Sequence, residues 1–127
     1  MPHDTKRDIL KVKDILHAIH LIQTFVANES LSGFMKSELI QSAVIRQFEI
    51  IGEAGTKISI NTQRIFPDLP WRSIKIFRNL LIHEYFKVDA AEVWTTIQND
   101  LPGLKEQMEN ILSFLKRIKY EKGNYFL

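Results

Sequence analysis

Apolar positions recur three and four residues apart along most of the chain, the spacing of one face of an α-helix. Ile9, Val12, Leu16 and Ile19 form one such stripe, widened by Ile15, Ile22 and Val26. They predict a first helix from about Asp4 to Val26. Thr5-Lys6-Arg7-Asp8 at its start has the spacing of a capping box, in which the Thr oxygen accepts from a free amide and the acid reaches back. The pattern lapses from Asn28 to Met35, around Gly33, and this stretch reads as a loop. Ile40, Val44, Phe48, Ile51, Ala54 and Ile58 resume it and predict a second helix from about Ser37 to Ser59. Gly52 and Gly55 inside that helix each cost about 1 kcal/mol relative to Ala. A close neighbour, another helix or a bound chain, is expected against them.

Asn61 to Pro70 reads as a second loop, with Pro67 and Pro70 as stops. A shorter third helix is predicted from Pro70 or Trp71 to about Ile82, because proline suits a first helical turn. Glu84 to Val88 reads as a connector. Asp89-Ala90-Ala91-Glu92 then opens the last helix, again with capping-box spacing. There Trp94, Ile97, Leu101, Leu104, Met108, Ile111, Leu115 and Ile118 keep an unbroken heptad phase. Pro102 removes one backbone hydrogen bond, and the surviving phase predicts one kinked helix rather than two. No segment alternates with period two. The fold class is all-α, an up-and-down bundle of four or five helices.

The 127 residues, 45% apolar and 25% charged, describe one folded domain, residues 1–127. There is no cysteine, which excludes disulfide scaffolds, zinc ribbons and cysteine nucleophiles. The net charge of +2 argues neither for nor against nucleic acid. The first residues lack the apolar core of a signal peptide, and no run of about 18 apolar residues occurs. A soluble, cytoplasmic chain with no membrane association is expected.

The segment Phe77-Arg78-Asn79-Leu80-Leu81-Ile82-His83-Glu84-Tyr85-Phe86 gathers reactive side chains within an apolar stretch. Arg78 offers a permanent cation with a planar donor fork suited to phosphate. His83 holds or releases a proton near neutral pH, and Tyr85 carries a hydroxyl open to modification. These meet the minimum for metal-free cleavage of RNA: a base for the 2′-OH, an acid for the 5′-oxygen, and a cation for the phosphorane charge. On an ideal helix Arg78 and His83 lie about 140° apart, whereas Asn79 and His83 share a face. Either the helix ends before His83, or a second subunit of a symmetric dimer completes the site. A purely structural pair, with His83 capping carbonyls and Arg78 bound to Glu84 or Glu53, satisfies the same spacing.

Arg78, four residues, His83, one residue, Tyr85 resembles the signature of the HEPN superfamily in its HepT-like branch. The run Ala43-Val44-Ile45-Arg46-Gln47-Phe48-Glu49-Ile50-Ile51-Gly52-Glu53-Ala54 is similar to that branch's second helix. Pro70-Trp71 ahead of Arg78-Asn79, and Val93-Trp94 ahead of Asp100-Leu101-Pro102, fit the same order. The likeness covers roughly residues 5–118, leaving 119–127 as a C-terminal tail. It implies a homodimeric helical bundle acting as the toxin of a toxin–antitoxin pair, a metal-independent endoribonuclease with an RNA substrate. The implied partner is a minimal nucleotidyltransferase (MNT) antitoxin that transfers AMP from ATP onto the motif tyrosine. Carried over, Arg78 and His83 are the catalytic pair, Asn79 a polar helper and Tyr85 the adenylylation site. The toxin itself needs no cofactor; ATP serves only the partner. A second reading is a non-catalytic helical subunit that binds nucleotide or the nucleotidyltransferase, and a third is a plain dimerisation module.

Around that segment, Glu53 is expected in a polar contact between helices or subunits, supporting Arg78 or His83, while Glu49 fits a solvated face equally well. Arg46 pairs with Glu53 or touches RNA. Arg64, Arg72, Lys75, Arg78 and Lys87 exceed Asp68 and Glu84, and Arg72 and Lys75 are candidates for the phosphate backbone. Lys116, Arg117, Lys119 and Lys122 suit a solvated helix end. Trp94 belongs to the core, Trp71 anchors the third helix, and Tyr120 and Tyr125 fall in a frayed tail. His17 and His20, with His3 remote, lack a third ligand, and no metal site is expected.

Overall fold

The computed structural model describes residues 2–75, 78 and 89–125. Helix α1 spans Pro2–Val26, α2 Leu31–Lys36, α3 Glu38–Thr56 and α4 Ile60–Ile65. Helix α5 is described over 71–75 and at Arg78. Helices α6, Ala90–Asn99, and α7, Leu101–Tyr125, complete the chain. No strand occurs among the described residues, so the all-α bundle expected from the apolar spacing is what forms.

Helix α1 is the centre of the bundle and packs along both α3 and α7. Its stripe is buried as the periodicity requires: Val12, Ile15, Ile19 and Ile22 are fully enclosed, with Ile9 and Val26 at the ends. Val44, Phe48 and Ile51 of α3 and Met108, Ile111 and Leu115 of α7 close over it. Side chains of this size each contribute about 1.5–3 kcal/mol when buried. Helix α2 lies across α3 and α6, and its Phe34, fully buried, meets Trp94 at 5.4 Å between ring centroids. Trp94, partly buried, thus packs against the core.

Several local expectations change. Residues 31–36 are helical because Ser30 caps them, its Oγ accepting from Gly33 N at 3.0 Å, and because Phe34 has a core site to fill. Gly33 sits in a first turn, where it does not interrupt a ladder. The supposed loop from Asn61 likewise starts as α4, capped by Ser59. Helix α1 already begins at Pro2, so Thr5 and Asp8 lie inside it and form no capping box. Pro102 divides the last segment into two helices instead of kinking one: Asp100 ends α6 and α7 starts at Leu101. Proline there loses little, since the first amides of a helix have no intrahelical acceptor. Helix α7 also continues to Tyr125, past the tail boundary placed at 119, and Tyr120 is an exposed helical residue. The Asp89 cap forms as expected, with Ala91 N donating to Asp89 Oδ1 at 2.8 Å.

Asp8 is completely buried and clasps the start of α1 to the segment after α3. Its Oδ1 accepts from Ser59 N at 2.9 Å; its Oδ2 accepts from Ser59 Oγ and Thr62 Oγ1, each at 2.6 Å. Helices α1 and α3 therefore run antiparallel, the start of one against the end of the other. Replacing Asp8 by Ala strands two hydroxyls and an amide without their acceptor. The expected cost is about 3 kcal/mol in urea unfolding, and Asp8→Asn, which keeps an acceptor oxygen, loses less.

Candidate functional site

The only member of the Arg78, Asn79, His83 and Tyr85 set within the described residues is Arg78, on α5. The placement of Asn79, His83 and Tyr85 falls outside them, as does the connector at 84–88 and Lys87. Arg78 owes its position to α3. Gly52 is buried directly beneath it: a Cβ built on Gly52 would lie 2.7 Å from Arg78 Cγ and 3.1 Å from its Cα, and closer still to its Cβ. One turn along, a Cβ on Gly55 would lie 2.7 Å from Ile74 Cγ2. The two glycines present bare backbone to α5, so the close neighbour that their presence called for is this helix.

The entry of α5 into that contact is fixed by Trp71. Its indole Nε1 donates to Phe66 O at 2.9 Å, which supports its expected anchoring role. Phe66 in turn meets Phe114 of α7 edge to face, with centroids 5.4 Å apart. Pro70 O accepts from Ile74 N at 3.0 Å and opens the first turn.

The head of Arg78 meets the residue next to Gly52. Its Nη1 donates to Glu53 Oε2 at 3.4 Å, and Glu53 Oε1 receives Lys57 Nζ at 3.2 Å. Glu53 thus makes the inter-helix contact expected of it. Arg78 is about one quarter exposed, and its Nε is buried with no acceptor among the described residues. Among the described residues Glu53 is the acceptor that the guanidinium meets. Arg46 does not reach Glu53; it pairs with Glu49 at 3.2 Å on the same helix. Arg72 and Lys75 are exposed on α5, and neither makes an ion pair with a described residue. No three potential metal-ligating side chains gather among the described residues. Lys57 was not singled out by the sequence, because its link to Arg78 runs through a carboxylate on another turn.

The steric dependence is directly testable. Gly52→Ala gains about 1 kcal/mol of helix propensity, but the new methyl meets backbone and Cβ atoms of α5 that cannot rotate away. A net loss of about 1–3 kcal/mol is expected in thermal or urea unfolding. Gly103→Ala on α7, where no described residue lies within 4 Å of the new Cβ, gains up to about 1 kcal/mol in the same measurement.

Comparison with known proteins identifies the family of the chain. A family model described as "Ribonuclease HepT-like" matches residues 15–111, which include the glycine face of α3, Arg78 and the segment after it. "Probable ribonuclease HepT" of Thermococcus cleftensis is 40% identical over 100 residues, covering 79% of this chain and 91% of that protein. "Putative RNase MJ1380" of Methanocaldococcus jannaschii is 35% identical over 106 residues, covering 83% and 97%. The same archaeon's "Gamma-glutamylcyclotransferase and putative RNase MJ0434" is 33% identical over 122 residues, and the chain spans about half of its length. No solved structure matches. The extent of the family match, together with similarity over nine-tenths or more of the first two relatives, shows that the chain belongs to the HepT-like ribonuclease family of the HEPN superfamily.

Proposed function

We propose that this protein is a metal-independent endoribonuclease, the toxin of a toxin–antitoxin pair, whose catalytic residues are Arg78 and His83. The observation that carries the reading is the family match across Arg78, joined to a partly exposed guanidinium held over Gly52 and against Glu53. His83 takes the proton of a ribose 2′-OH, whose oxygen attacks the adjacent phosphorus. The bond to the 5′-oxygen breaks, and that oxygen receives a proton from an acid, His83 again or its counterpart in a second subunit. The products are a 2′,3′-cyclic phosphate and a 5′-hydroxyl. Arg78 binds the phosphate and steadies the charge that grows on its oxygens. Asn79 assists as a polar helper. Homodimerisation would bring two such segments to one cleft.

Silencing follows from the same chemistry. Transfer of AMP from ATP to the Tyr85 hydroxyl, with release of pyrophosphate, by a partner nucleotidyltransferase places a phosphodiester two residues from His83. Its negative charge competes for Arg78 and its bulk occupies the cleft.

The test is cleavage of RNA in excess EDTA by protein whose mass shows Tyr85 unmodified. Parent protein is expected to cleave, and His83→Ala and Arg78→Ala to lose at least about 100-fold in rate. Absence of cleavage by the unmodified parent contradicts the reading and favours a non-catalytic binding subunit.

A further inference from the structure

Two surface cavities meet on the side of the bundle formed by α1 and α3. The first, about 500 Å³, is lined by Arg7 and Lys11 of α1, by Lys57 just past α3, and by Thr56, Asn61 and Gln63. The second, about 280 Å³, shares Lys11 and Lys57 with it and extends to Arg46, Glu49 and Glu53. Lys11 and Lys57 line both, so the two cavities adjoin at these side chains. In the second, Glu53 is the carboxylate that binds Lys57 through one oxygen and Arg78 through the other. The adjoining cavities therefore form a groove from the first turns of α1 to Glu53, the carboxylate that pairs with Arg78.

We propose that this groove carries the backbone of a single-stranded RNA substrate, with Arg7 and Lys11 as phosphate-binding residues remote from the reacting bond. The inference rests on the ribonuclease reading and extends it to how the chain is held.

Charge supports it. Arg7 and Lys11 are four residues apart and share a face of α1. Arg7 makes no ion pair with a described residue, and Lys11 reaches Asp14 only at 3.9 Å. Lys57 is paired but half exposed, and surface pairs of this kind contribute under about 1 kcal/mol, so its ammonium remains free to turn to a phosphate. Asp4 opposes the three cations at the mouth, and the buried Asp8 carboxylate behind them is already saturated by Ser59 and Thr62. The balance at the first cavity stays positive, whereas at the second Lys11, Arg46 and Lys57 are matched by Asp14, Glu49 and Glu53, so the phosphate-binding charge lies at the first.

The lining also separates RNA from an acidic protein partner. A protein interface needs an apolar or aromatic centre; of the aliphatic residues lining the two cavities Ile58 and Ala54 are buried, Ile50 is partly buried and Ile60 is exposed. Charged side chains, amides and hydroxyls make up the rest of the first cavity. No aromatic ring among the described residues lines either cavity, so these residues offer bases no stacking platform. Recognition would run through phosphate and sugar and would be indifferent to sequence.

Binding of a short fluorescent 2′-O-methyl oligoribonucleotide, which lacks the attacking hydroxyl, tests this apart from cleavage. The full-length parent is compared with Arg7→Gln/Lys11→Gln, and with Lys13→Gln/Lys36→Gln, which removes the same charge from exposed positions lining neither cavity. The groove variant is expected to bind about ten-fold more weakly at low salt, and its log–log salt slope to fall by about 1.4, two phosphate contacts at 0.7 each. The control variant keeps the parent slope, and adenine-only and uracil-only oligonucleotides bind alike. Parent-like affinity and slope in the groove variant overturn the proposal and leave these cations to an acidic partner, as does equal weakening in the control. A parent that binds through the groove yet cleaves no RNA overturns the ribonuclease reading while leaving the groove assignment standing.

Discussion

The approach of α5 to the bare backbone of α3 is the constraint from which the candidate site follows. Gly52 and Gly55 give up about 1 kcal/mol each of helix propensity, and in return a helix can ride where any side chain would hold it off. The aliphatic stem of Arg78 lies across Gly52, while its head meets Glu53, the very next residue. Consecutive positions thus set both ends of one side chain, the first by lacking atoms and the second by supplying a carboxylate. The ion pair itself is partly exposed and weak. Sterics hold the helix, and the carboxylate aims the guanidinium.

That contact depends in turn on the register of α3 against α1. The buried apolar stripe fixes how far the two helices approach and how they rotate; the Asp8 clasp fixes where the start of one stands against the end of the other. A buried carboxylate satisfied by one amide and two hydroxyls is specific in a way that aliphatic packing is not, because a shift of one residue would leave all three donors unpaired. The same end of the bundle carries Arg7, Lys11 and Lys57. Structural clasp and cationic groove are built from neighbouring turns of α1, with Asp8 directed inward and the cations outward.

Much of this was legible in the sequence. The three-and-four spacing identified the buried faces of α1, α3 and α7, and the pair of helical glycines announced a close neighbour. Glu53 was recognisable as a cross-helix partner from its place between Gly52 and Ala54. Short helices were missed where a single cap and one buried side chain decide the matter: Ser30 with Phe34, and Ser59 with Thr62. The Thr5–Asp8 spacing misled because a polar residue at such a position can serve a distant hydrogen bond as well as a local cap, and Asp8 answers to residues more than fifty positions away. At Pro102 an intact hydrophobic phase hid a break, since two helices stacked end to end keep the same seam. Arg46 and Glu49 illustrate a further limit: helical spacing offers several partners, and the nearest on the same helix won.

The account turns on Glu53 acting through Arg78, and a double-mutant cycle on RNA cleavage tests that most directly. Glu53→Gln is measured in the parent and in an Arg78→Lys background, at saturating RNA. If the carboxylate aims the guanidinium, Glu53→Gln slows cleavage about ten-fold in the parent and has little effect once Arg78 is Lys, a coupling of roughly 1.4 kcal/mol. The same fold-loss in both backgrounds would mean that Glu53 acts independently of Arg78, and would contradict the account.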